Sequence, residues 1–127
     1  MELCPDVSDW YGFELELWDI GENIRQLLCS ERKNLNCEQT EKVLRICLNK
    51  NAKRGRQSFV MLLGKKRFIE YADRLAVLLS DDDINGHVLD SLYKMGAAQY
   101  CRNAGPFLTS EHTWIKNIAK KYIEKYS

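Results

Sequence analysis

The chain has 127 residues, 45% hydrophobic and 29% charged, with two prolines and a net charge of +1. This is material for one core and is the composition of a globular domain, wrong for a disordered one. No run approaches the ~18 apolar residues of a membrane span, and the acidic opening Met1-Glu2-Leu3-Cys4-Pro5-Asp6 lacks the basic and apolar regions of a signal peptide, so a cytoplasmic location is expected.

In chain order, the segment Asp9 to Leu17 alternates Trp10, Tyr11, Phe13, Leu15 and Leu17 with polar residues, which predicts an extended lead-in folded over the first helix. From Trp18, the positions Ile20, Ile24, Leu27 and Leu28 predict a helix ending near Ser30. Asn36 followed by Gln39 is a capping-box pattern, and Val43, Leu44, Cys47 and Leu48 supply the buried face of a second helix up to about Asn49. After a loop around Asn51 and Gly55, Phe59 to Leu63 forms a short apolar helix that Gly64 would stop with a left-handed cap. Its partner helix runs from about Arg67 to Ser80 on Phe68, Ala72, Leu75, Ala76, Leu78 and Leu79. A second hairpin uses Ile84, Val88, Leu89, Leu92 and Met95, stops at Gly96 and returns through Tyr100, Ala104, Phe107 and Leu108, with Pro106 kinking the return. A last helix from Trp114 carries Ile115, Ile118, Tyr122 and Ile123, with Lys120, Lys121 and Lys125 near its end.

A period of thirty links these units. Gln57-Ser58-Phe59 with Leu62-Leu63 aligns with His87-Val88-Leu89 and Leu92-Tyr93, and then with Asn117-Ile118-Ala119 and Tyr122-Ile123. Ser80 and Ser110, each followed by acids, mark expected helix starts at the same offset. Units of this size must stack to bury their apolar faces. Arg56-Gln57-Ser58 through Gly64, then Ala72-x-x-Leu75-x-x-Leu78-Leu79-x-Asp81-x-Asp83, then His87-Val88-Leu89-x-x-Leu92 resembles HEAT-like and armadillo-like repeats over residues 54–126. The resemblance implies an all-α, short HEAT-like α-solenoid of stacked antiparallel hairpins, about six to seven helices in one domain, with residues 1–53 a divergent helical part. Small proteins of this look are also similar to immunity proteins of contact-dependent or polymorphic toxin systems in bacteria. That likeness implies a binding protein without chemistry of its own, occluding a cognate toxin domain, often a ribonuclease.

Five cysteines, Cys4, Cys29, Cys37, Cys47 and Cys101, form no C-x-x-C pair and have no histidine close by. They read as reduced thiols and match neither a disulfide framework nor a zinc site. Gly64-Lys65-Lys66 lacks the upstream glycine and the following hydroxyl of a phosphate loop. His87 and His112 have no nucleophile or orienting acid that the sequence places beside them, so His87 reads as a capping or partner-contact residue. Asp81-Asp82-Asp83 lacks the alternating spacing of a calcium loop and reads as helix-terminal acids. No catalytic residue, metal or cofactor is expected, and Glu14 and Glu16 read as solvated carboxylates.

Charge is segregated. Residues 1–24 carry seven acids and no base, whereas Lys50 to Arg67 carries seven bases and no acid. Aromatic anchors ringed by carboxylates suit a basic protein partner. The predicted binding residues are therefore Asp6, Asp9, Trp10, Tyr11, Glu14, Glu16, Trp18, Asp19 and Glu22, joined by Asp81, Asp82 and Asp83. Trp10, Phe13 and Trp18 plugging the open end of the stack is the competing role for the aromatics. The alternative functions are a nucleic-acid binder using Lys50–Arg67, which the near-neutral total and the lack of interleaved aromatics in Lys50–Arg56 argue against, and a generic adaptor. No membrane partner is expected.

Overall fold

Tyr11 and Glu14 set the start of the first helix, because the Glu14 carboxylate turns back and accepts from the Tyr11 backbone N–H at 3.0 Å. The structure, a computed structural model, describes residues 9–127; they are all-helical, with no strand among them. Six α-helices are α1 (Gly12–Glu31), α2 (Cys37–Leu48), α3 (Gln57–Leu62), α4 (Ala72–Ala76), α5 (Asn85–Met95) and α6 (Thr113–Tyr126). Four 3₁₀ segments, Lys50–Arg56, Lys66–Tyr71, Val77–Ser80 and Ala98–Thr109, connect them. No helix among the described residues is long and apolar enough to cross a membrane.

The capping box of α2 forms as its sequence predicts: the Asn36 side chain accepts from Gln39 N–H at 2.8 Å, and the Gln39 side chain accepts from Asn36 N–H at 2.9 Å. Gly96 ends α5 at φ 82°, a conformation that an L side chain disfavours. Three of the positions aligned at thirty residues are core positions in every unit, while Asn117 of the last unit is exposed. Ser58, Val88 and Ile118 are buried, as are Phe59, Leu89 and Ala119, and Leu62, Leu92 and Tyr122. Phe59, Val60, Leu63, Leu75, Leu89 and Leu92 are almost wholly enclosed, and each contributes about 1.5–3 kcal/mol relative to exposure. Helix α3 packs on α1, α2 and α5, and α5 packs in turn on α6. Where α1 crosses α3, a Cβ on Gly21 would stand 2.1 Å from Ser58 Oγ, so only glycine allows that approach.

Several elements differ from expectation. The segment Asp9 to Leu17 is not an extended lead-in; from Gly12 it is helical, because Glu14, Leu17, Gly21, Ile24 and Leu28 form a face toward α3 and the 3₁₀ segment beside it. The alternation of aromatics concealed that face. The return strokes are not regular α-helices. They alternate 3₁₀ and α segments, Lys66–Tyr71, α4 and Val77–Ser80, and then Ala98–Thr109, although the buried and half-buried positions Phe68, Tyr71, Ala72, Leu75, Leu78 and Leu79 keep the spacing of an α-helix. Gly64 does not adopt a left-handed cap; it lies close against Ser91 of α5. Ser80 and Ser110 do not cap the following helices. Ser80 Oγ donates to Val77 O, and Ser110 Oγ accepts from His112 N–H, the helices starting at Asn85 and Thr113.

Candidate partner-binding surface

The basic 3₁₀ segment Lys50–Arg56 organises both acidic regions. It turns sharply at Lys53, whose φ of 50° and ψ of −135° lie outside helical geometry, and thereby sends Arg54 and Arg56 in different directions. Arg54 clasps α1. Its Nε donates to Glu14 Oε2 at 2.9 Å, its Nη2 to Glu14 Oε1 at 3.0 Å, and its backbone N–H to Glu14 Oε2 at 2.9 Å. Asp9 adds a carboxylate 3.0 Å from Arg54 Nη1, and the guanidinium lies 5.3 Å from the Trp10 ring centre.

Glu14 is fully buried. Burial pushes its carboxyl up, but the hydrogen bonds from Arg54, from two backbone N–H groups and the adjacent positive charge outweigh this and bring it down to about 2. Arg54 is raised, first by its hydrogen bonds to Glu14. Arg56 is also fully buried. It donates to the backbone oxygens of Lys53 at 2.7 Å and Cys47 at 3.0 Å, and to Asp81 at 2.9 Å, with Asp83 at 3.6 Å. Asp81 further accepts from Asp83 N–H at 3.1 Å. Each of the three nitrogens of this buried guanidinium thereby donates to an oxygen.

The twelve residues expected to bind a partner therefore separate. Asp6 lies outside the described residues. Glu14, Asp81 and Asp83 are counter-ions of two arginines, with Glu14 no solvated carboxylate; Asp9 and Trp10 flank Arg54; Glu22 pairs with Arg25. Trp18 is half-buried, its Nε1 enclosed without a partner among the described residues. Tyr11, Glu16, Asp19 and Asp82 stay exposed, and Glu16, Asp19 and Asp82 make no ion pair among the described residues. The chain matches no family model, no curated protein and no solved structure.

Sequence reasoning missed an apolar ridge on α1. Phe13 is 47% exposed, Ile20 53% and Leu27 58%, and the three follow one another at seven-residue intervals. Tyr11, 61% exposed, stacks on Phe13 with ring centres 5.8 Å apart. Phe13 therefore does not plug the stack. A helical wheel drawn from Gly12 would have revealed the ridge, because Leu17, Ile24 and Leu28 satisfy the inner face without these three residues. Glu16 and Asp19 border the ridge along its outward side.

Two other features are chemically weaker. His87 is 5% exposed, its ring centre 4.8 Å from that of Trp114. It is therefore a core residue, not a surface contact, and burial first, then the Lys94 charge, lowers it to about 4. An open groove of about 810 Å³ is lined by Asp82, Asn85, Arg102, Asn103, Glu111 and His112 among others, with charges of both signs. Among the described residues no three His, Cys, Asp or Glu side chains gather as a metal site.

Proposed function

We propose that this chain is a protein-binding module that uses α1 to cover a basic surface of another protein. The observation that carries the reading is the exposed ridge Phe13, Ile20 and Leu27 with the carboxylates of Glu16 and Asp19, unpaired among the described residues, along one side. Apolar side chains supply affinity and the carboxylates set encounter rate and register. The most specific form of this reading is the immunity role that the resemblance implies, in which a toxin domain with a cationic active site, such as a ribonuclease, is held closed by occlusion in the bacterial cytosol. The consecutive packing of α3 on α5 and α5 on α6 supports a short HEAT-like solenoid as the scaffold.

Nucleic-acid binding through Lys50–Arg67 has less support, because Arg54 and Arg56 are neutralised inside the chain. The test is capture from the native host with the wild-type chain and with an Ile20→Gln, Glu16→Gln, Asp19→Asn variant, followed by reconstitution with the purified partner. A basic protein whose Kd rises at least tenfold for the variant, and further as salt rises, is the expected result. A partner that binds both forms equally, or a nucleic acid as the bound species, overturns the proposal.

A further inference from the structure

Resting on the reading above, we infer that the ridge of α1 receives an amphipathic helix with a basic flank, and not merely a flat basic surface. The spacing carries the argument. Phe13, Ile20 and Leu27 repeat at seven residues, and a seven-residue step on a straight helix drifts by about 20° per repeat. The three side chains thus lie on a slowly slanting line about 21 Å long. A second helix crossing at roughly 20° follows such a line and sets its own side chains between these knobs. A strand or a loop offers no matching period.

The flanks of the line give the occupant its charge. On the outward side Glu16 lies between Phe13 and Ile20, and Asp19 stands one residue before Ile20. Both are exposed and neither has a cation among the described residues. Farther along the same side, Asn23, Gln26 and Ser30 are exposed and neutral. On the inward side Leu17 and Ile24 are half-buried against the core. The occupant must therefore place lysine or arginine along one edge only, concentrated opposite the N-terminal half of α1. A second copy of this chain does not meet that demand: an antiparallel pairing of two α1 helices sets Glu16 and Asp19 against the neutral Asn23, Gln26 and Ser30.

The experiment uses the full chain and two 21-residue helical peptides that share a leucine seam, one carrying lysines along one flank and its twin carrying glutamates there. Titration calorimetry with the wild-type chain is expected to give at least tenfold tighter binding of the lysine peptide. Glu16→Lys with Asp19→Lys should invert that preference, and Ile20→Gln should weaken both peptides. Equal affinity for the two peptides, or binding of neither, overturns the inference. So does sedimentation showing a dimer that Ile20→Gln dissociates, which gives the face to a second copy. Peptide binding that emerges only on deleting residues 1–8 gives the face to that segment. A basic globular protein that loses binding to the charge-reversed chain while the helical peptides never bind refutes the helix and leaves the proposed function standing.

Discussion

Replacing Glu14 with glutamine removes the negative charge from a carboxylate that three Arg54 donor bonds and the Tyr11 N–H hold in a buried site. Its fall from the ordinary 4.5 to about 2, at about 1.4 kcal/mol for each tenfold change in proton affinity, corresponds to roughly 3 kcal/mol. Arg54 remains partly solvated and keeps Asp9, and glutamine can still accept one bond, so the expected loss is about 2 kcal/mol at pH 7. A carboxyl held low in the folded chain stabilises fully above pH 4.5, and that contribution disappears as pH falls through 2. Urea unfolding of both forms should therefore show a gap of about 2 kcal/mol at pH 7 that shrinks by roughly half at pH 3. A gap below about 0.5 kcal/mol at pH 7, or one that stays constant down to pH 3, would refute the account of the clasp.

Three other outcomes follow from the core. Gly21→Ala should destabilise by about 2 kcal/mol through overpacking against Ser58, whereas Ser58→Ala alone should be nearly neutral, since Ser58 Oγ is buried without a partner among the described residues; thermal melts of both and of the double variant check this. His87, lowered from 6.5 to about 4, binds its proton more readily in the unfolded chain. Its contribution is thus whole above pH 6.5 and falls by up to ~3 kcal/mol as pH drops to 4, a slope that His87→Phe should remove in the same unfolding series and that an NMR titration of the ring should locate near 4. Cys29 and Cys37 are exposed, while burial holds the Cys47 thiol up at about 12. An aromatic disulfide reagent should therefore label the first two quickly at pH 8 and reach Cys47 only on denaturation; fast labelling of Cys47 would contradict its burial.

What could be read from the residues was local or periodic. The Asn36–Gln39 box, the stop at Gly96 and the core positions repeating at thirty depend on neighbours within one turn or on one repeated face, and each stands in the structure as written. The Glu14–Arg54 clasp joins residues forty apart, and no spacing rule announces it. Its one trace was the segregation of charge, seven acids with no base in residues 1–24 against seven bases with no acid in Lys50–Arg67, which was read as two outward surfaces. In part the two segments are complementary to each other. The 3₁₀ character of the return strokes is not legible, because Phe68, Tyr71, Ala72, Leu75, Leu78 and Leu79 keep a spacing that an α-helix would also bury.

Arg56 bears on how far the chain can be treated as modular. One enclosed cation belongs electrostatically to the turn that introduces α5, twenty-five residues away. Cutting between these stretches, or transplanting either of them, would strand a full charge in an oily interior. An engineer wishing to extend or shorten this scaffold must move Arg56, Asp81 and Asp83 together.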